Sequence, residues 1–412
     1  MKIMEVSYHI PVNIFSKILL AMNLAIYVQL AIFSYSYVDL NLTISRNTFI
    51  INFVSFMQQI GYFHRSLATS IYVIWIISAF SFYILNLWLF YKKKVRENYL
   101  KYAVICCTLI LIFAYPFLSS DLFNYIFYSK IILKYHANPY AHRALDFPGD
   151  DWLRFMRWVH GYAPYGPLWL VGALIPAILG FGKFILNLLM FKIFIGSFHL
   201  INSYLIYKIL EKTGIKNILL GTSFYALNPL LLIEGVANAH NDIVVASFLL
   251  LAVYFYVHKE NAKSFAVIFA GALIKYIPIL NLPWYIFSLL SRKKANYELI
   301  VFLSLATLTI FTFIFSTFAI KVPFVPGGST QVQFQPWYLF WTLPYIALIP
   351  KRPLIILGIL VSIGASLRYL PFLFYGDWSH AYTILFMQAA TILPLTLGLV
   401  VIFIRKLLEK DK

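Results

Sequence analysis

Asp121 follows two serines in the stretch SSDLFNY and stands directly after the apolar run YAVICCTLILIFAYPFL at 102–118. A carboxylate there meets water on one side and lipid on the other, which suits a base that takes a proton from a lipid-borne substrate. The same position reads equally well as a helix N-cap, and one aspartate can do both. A second group is NPLLLIEGVANAHND at 228–242. Glu234 lies inside or at the end of an apolar span, where an ionisable side chain is expensive enough to count as a functional candidate. His240, Asn241 and Asp242 follow at the membrane edge. Asp242 is well placed to cap a helix from Ile243, which leaves His240 and Asn241 in need of another explanation. The third group is AGALIKYIPILNLPW at 270–284, where Lys275 sits between apolar half-helices. A lysine there either snorkels to an interface or offers a point charge to a lipid phosphate. Arg368, near the end of a late span, is a further phosphate candidate, whereas Lys192 and His199, within another span, read as structural. Metal chemistry finds no support: there is no HExxH, Asp150-Asp151 is followed by Trp as at a helix start, and Asp121 has no carboxylate two residues on. No cofactor is expected.

Elements that could hold these groups must be built from a chain that is 61% hydrophobic and 12% charged, with a mean hydropathy of +0.79. Such a composition belongs to the membrane class. The net charge of +18 is carried largely by short connectors, KKKVRENYLK, EKTGIK, RKK and KR, and by the tail RKLLEKDK. No basic face with interleaved aromatics is assembled, so nucleic-acid binding is excluded. Cys106 and Cys107, the only cysteines, are adjacent in an apolar span and make no disulfide framework. The first apolar run, 14–34, lacks a small-residue cleavage motif and is expected to stay as an anchor.

A helix needs roughly 17 to 25 residues to cross the hydrocarbon. Runs of that kind lie at 14–34, 67–91, 102–118, 184–207, 217–236, 299–320 and 381–404, with shorter ones at 243–257, 336–350 and 353–370. Apolarity all round each run excludes a transmembrane barrel. The expected fold is an all-α polytopic membrane protein, one integral-membrane domain over 1–412 with about 10–13 transmembrane helices. The basic connector 92–101 places both termini in the cytoplasm by the positive-inside rule, and 119–166 outside the cell membrane. This holds for every later connector if 164–182, with Pro164, Pro167, Pro176 and GFG, is a broken or re-entrant segment. Residues 264–291, with Pro278 and Pro283, read as two short helices meeting near Lys275. The outward loops are then 35–66, 321–335 with its PGG turn, 371–380 and the long 119–166. That long loop is expected to carry two interfacial helices, 121–135 with Lys130 and Lys134 on one face, and 151–160 with an apolar stripe. Trp337, Trp341 and Trp378 read as interface-belt residues.

The succession SSDLFNY, NPY at 138–140, APYGPLW at 163–169, NPLLLIE with HND, ALIKYIP and QPWYL at 335–339 resembles the GT-C superfamily of membrane glycosyltransferases. It looks most like the polyprenol-phosphate-mannose-dependent mannosyltransferases, over about residues 100–345. The resemblance implies an inverting transfer of one sugar, mannose, from a polyprenyl-phosphate donor to a lipid-linked or glycan acceptor on the outer side of the membrane. It maps the family's base onto Asp121 and places Lys275 and His240 at motif positions for the donor phosphate, with Arg368 added by its place in the chain. Substrate contacts are expected from Asn124, Tyr140, Tyr165, Glu234, Asn241 and Asp242, and Tyr165 and Trp169 are suited to stack on sugar faces. The chain departs from the acidic D-x-D form of some relatives, having Asp121-Leu122-Phe123. A transporter or flippase of lipid-linked sugars would also use broken helices and intramembrane charges, but the halves show no pseudo-symmetry and the outward loop is single and large. A non-catalytic assembly subunit of the same fold is the third reading.

Overall fold

The computed structural model describes residues 12–291, 296–317, 334–378 and 381–410. The RKK connector at 292–294 and the PGG turn of the 321–335 loop lie outside them. Among the described residues there is no strand, and the apolar runs form a helical bundle. α1 (Val12–Ser34), α2 (Thr48–Gln58), α3 (Arg65–Tyr91) and α4 (Glu97–Ile112) lead to α5 (Asp121–Tyr135), the first element of the long loop. α6 (Pro167–Leu179) and α7 (Phe184–Lys212) follow, then α8 (Ile218–Ala226) and α9 (Pro229–Leu232), continued by a π turn at Ile233–Ala237. α10 (Asp242–Val257) and α11 (Asn261–Ala272) pack side by side, and a 3-10 turn at Ile277–Asn281 leads to α12 (Leu282–Leu290). α13 (Tyr297–Thr317), a 3-10 turn at Pro336–Trp341, α14 (Leu343–Leu348), α15 (Arg352–Leu367), α16 (Leu370–Tyr375) and α17 (Ala381–Lys410) complete the chain.

Five helical stretches, 14–37, 65–91, 184–212, 352–375 and 382–404, are long and apolar enough to cross a membrane. α8 together with Pro229–Ala237 makes a sixth, bent by 48°. The bend has a local cause. Pro229 cannot donate to the ladder, and the Asn228 side chain caps the restart by accepting from Leu230 N–H at 3.0 Å. Other apolar helices are shorter, such as α6 with 13 residues and α10 with 16. At 1.5 Å per residue they reach about 20–24 Å, less than the hydrocarbon thickness.

Three pairings fix which connectors share an end of the bundle. Tyr207 O–H reaches Glu97 at 3.3 Å, Lys351 pairs with Glu298 at 2.6 Å, and Tyr297 hydrogen-bonds the Thr213 side chain. The connectors around 97, 211, 297 and 351 thus border one end, and α4 carries the chain from Glu97 to the other, where Asp121 begins α5. The segment 164–182 forms only the short α6, and Lys275 lies in the break between α11 and the turn at Ile277, both as expected.

The helix expected over 151–160 is absent: only a 3-10 turn at Asp151–Phe155 forms there. The reason is Asp150, whose buried carboxylate accepts from Trp152 N–H at 2.8 Å, from Lys130 at 2.7 Å and from Tyr135 O–H at 2.5 Å. This anchors the turn to α5. Lys130 also lies over the Trp152 ring at 3.5 Å. Burial raises the Asp150 pKa, but Lys130 and Tyr135 more than offset it and hold the carboxyl below its ordinary value. α2, within the 35–66 loop, is an element that the apolar runs did not indicate.

Candidate active site

Three carboxylates from separate elements converge at the end of the bundle away from the basic connectors. Asp121 stands at the first position of α5, its main-chain N–H donating to Ser119 Oγ at 3.2 Å. Asp242 opens α10, and Glu234 lies in the π turn between α9 and that helix. The π turn widens the helix by one residue, a feature common at functional sites. Beyond it Ala239 takes a left-handed conformation at φ 57° and turns the chain sharply back, so that His240 lies over Glu234. Its main-chain N–H donates to the Glu234 carbonyl at 2.9 Å.

His240 bridges two of the carboxylates. Its Nδ1 is 3.4 Å from Asp121 and its Nε2 is 3.3 Å from Glu234, while the ring stacks on Trp337 with centroids 3.9 Å apart. Glu234 also accepts from Tyr369 O–H at 2.7 Å and from the Asn238 amide at 3.2 Å. The exposure is uneven: the side chains of His240 and Glu234 are fully buried, and that of Asp121 is 17% exposed. Burial pushes His240 down, but the two carboxylates push it up further, to about 9. Burial likewise raises Asp121, but His240 and Lys275 outweigh it and hold the carboxyl below its ordinary value. At neutral pH His240 is therefore an imidazolium beside an ionised Asp121.

The third carboxylate is paired separately. Lys275 donates to Asp242 at 2.7 Å, and Trp341 Nε1–H donates to the other oxygen at 2.9 Å. Lys275 is brought there by α6, whose first residues dock on the strand of chain before it. Gly166 N–H donates to the Ile274 carbonyl at 2.9 Å, and a Cβ on Gly166 would lie 2.1 Å from the Leu273 carbonyl oxygen. That close approach sets Lys275 5.7 Å from the Tyr165 ring centre. Tyr165 in turn packs edge-on against Tyr125, which contacts Trp169 at 4.9 Å, and its carbonyl accepts from Tyr140 O–H at 2.7 Å.

The structure thus brings together Asp121, Glu234, His240, Asp242, Lys275 and Tyr165, with Tyr140 behind Tyr165. Asn241 joins them through its main-chain N–H, which donates to Tyr125 Oη at 3.3 Å, and its side-chain amide is buried without a protein partner among the described residues. Asn124 is buried on α5 beside Tyr125. Arg368 is used elsewhere. Its guanidinium donates to the Met387 carbonyl and Thr391 Oγ1, both at 2.6 Å, and to the Phe334 carbonyl at 2.8 Å, tying α15 to α17. Its neighbour Tyr369 is the residue that enters the site. Tyr369 and Asn238 carried no signal in the sequence. Trp337 and Trp341, read as belt residues, instead clamp His240 and Asp242, and their place in the QPWYL motif was the available clue. Lys192 has a structural use, donating from α7 to the carbonyls of Val236 and Ala237 at the end of the π turn.

A helical membrane bundle with a carboxylate at its mouth, a cation at a helix break beside it and aromatic faces around both is a membrane glycosyltransferase of the GT-C type. The sequence pattern of the alpha-(1->6)-mannopyranosyltransferase family, N-terminal domain (the MptA_B family), matches residues 30–292, more than half of the chain, and the chain belongs to this family. The protein is a membrane mannosyltransferase. No curated protein and no solved structure matches the chain. Trp337, Trp341 and Tyr369 lie beyond the matched residues, and their places in the site come from geometry alone.

Proposed function

We propose that this protein transfers a single mannose, with inversion, from a polyprenyl-phosphate donor to the 6-hydroxyl of a lipid-linked or glycan mannosyl acceptor at the outer face of the cell membrane. The observation that carries this reading is Asp121: an ionised, partly exposed carboxylate at the mouth of a lipid-embedded bundle, with Lys275 near enough to act on its charge. The acceptor oxygen forms the bond to the anomeric carbon as the bond from that carbon to phosphate oxygen breaks. Asp121 takes the hydroxyl proton, and the phosphate leaves with the bonding electrons as polyprenyl phosphate. An α-(1→6) product formed by inversion requires a β-linked donor. Lys275 stabilises the charge growing on the leaving phosphate, partly exchanging its contact with Asp242 for one with the donor. Both ring nitrogens of His240 face carboxylates, so its contribution to the phosphate is through charge. Tyr165 supplies an aromatic face for a sugar ring, and the amides of Asn241 and Asn124 supply donors and acceptors for sugar hydroxyls.

The outward orientation is supported by the basic connectors, which share the end of the bundle remote from Asp121. The reading is tested by incubating the purified protein with polyprenyl-phosphate-β-mannose and an α-(1→6)-manno-oligosaccharide. Release of polyprenyl phosphate in step with acceptor extension is expected. Movement of intact donor across a vesicle without release would indicate a flippase instead.

A further inference from the structure

The transfer needs one base and one phosphate-binding cation, yet Glu234 is a second carboxylate held next to the base through His240. Every polar contact of Glu234 points inward. One oxygen accepts from Tyr369, and the other from Asn238 with His240 Nε2 at 3.3 Å, and the side chain is fully buried. It therefore does not face a substrate, as the sequence had suggested. A proton relay from Asp121 through His240 to Glu234 would end in this closed site, whereas Asp121 is itself 17% exposed and can return its proton to water directly. What remains is orientation and charge. A buried imidazolium is stable only when paired, and Glu234 pairs with Nε2 while Nδ1 is left to point at Asp121. Trp337 fixes the plane of the ring at 18° to its own.

We infer that Glu234 is a positioning residue that keeps His240 doubly protonated and turned towards Asp121, so that the base is held ionised and aimed at the acceptor hydroxyl. The inference rests on the reading of Asp121 as the base. The charged and titratable groups around His240 are Asp121 from α5, Glu234 from the π turn, Asp242 from α10 and Lys275 from the break after α11. Tyr125 and Tyr338 lie near Asp121 and Asp242, and Tyr369 and Tyr72 near Glu234. Of these, Asp121 and Glu234 lie against its ring nitrogens.

Glu234→Gln keeps the shape and the partners Tyr369 and Asn238 but removes the charge. Turnover is expected to fall about 10- to 100-fold, the range seen when an outer partner that orients a metal-ligating histidine is removed, with the Michaelis constant for donor within about twofold of wild type. The alkaline limb of the pH–rate profile, set in the wild type by loss of the His240 proton at about 9, is expected to move to lower pH. A variant with reduced turnover and an unmoved limb would make Glu234 merely structural, and one with a raised donor Michaelis constant and an unmoved limb would make it a substrate ligand. Should the variant fail to fold, the wild-type profile decides: activity that stays flat through about 9 overturns the inference. Asp121→Asn, measured alongside, separates the two levels. If that variant retains transfer, the base reading fails; if it is inactive while Glu234→Gln leaves the limb in place, only this inference fails.

Discussion

The pair Lys275–Asp242 shows why a buried charge cannot be tested by deleting it alone. Among the described residues, Lys275→Ala would leave the fully buried Asp242 side chain with Trp341 as its one remaining hydrogen-bond partner, a loss on the order of 3 kcal/mol for a broken buried pair. Lost activity could then reflect either phosphate binding or stability. The double variant Lys275→Met with Asp242→Asn removes both charges. If Lys275 serves the donor phosphate, the double variant should regain most of the melting temperature but not donor use, which should stay at least about tenfold down. Lys275→Arg should not restore it, because a guanidinium differs from an ammonium in shape and hydration. Recovery of both stability and donor use in the double variant would show that Lys275 serves only the fold. At this scale the sequence was informative about lone charges in apolar surroundings: Asp121, Glu234 and Lys275 all stand out against their neighbours. It was silent about which charge meets which. Glu234 and Tyr369 are 135 positions apart, and nothing in either neighbourhood announces their bond.

Elements were legible where proline or glycine punctuates an apolar run. Pro229 marks the bend after α8, and Pro278 and Pro283 mark the segment after Lys275. The 151–160 stretch misled because its apolar stripe is real but its start is not free: the Asp150 carboxylate is drawn to Lys130 and Tyr135 on α5. Long-range pairing of that kind overrides local periodicity. The close approach of α6 to the chain before Lys275 gives an element-scale test. Gly166→Ala would push a methyl against the Leu273 carbonyl, 2.1 Å away, and only backbone movement can relieve it. We expect a loss of about 1–3 kcal/mol of stability together with reduced donor use, since the displaced segment carries Lys275. Gly149→Ala, where a Cβ meets nothing within 4 Å, is the silent control. A Gly166→Ala protein with wild-type melting and turnover would contradict this docking.

For the whole molecule, the alternation of basic connectors and apolar runs conveyed the class, but not the number of full crossings. Composition does not separate a helix that spans from one too short to do so, such as α6 and α10. Orientation is tested by single cysteines in a background lacking Cys106 and Cys107. Residues 97, 213 and 261 should react with an impermeant thiol reagent only from the cytoplasmic side, and residue 146 only from outside. Labelling of 213 from outside would mean that 164–182 crosses completely, and would reverse every later connector.

The central claim is that Asp121 is the base for mannosyl transfer. The most direct measurement compares Asp121→Asn with wild type for turnover with polyprenyl-phosphate-β-mannose and a manno-oligosaccharide, and for thermal unfolding in the same detergent. Asn is nearly isosteric, and Asp121, at the first position of α5, makes no side-chain capping bond that the change would remove, so melting should change little while turnover falls at least about a hundredfold. A variant that melts like wild type and still transfers mannose at a near-normal rate would show that Asp121 is not the base.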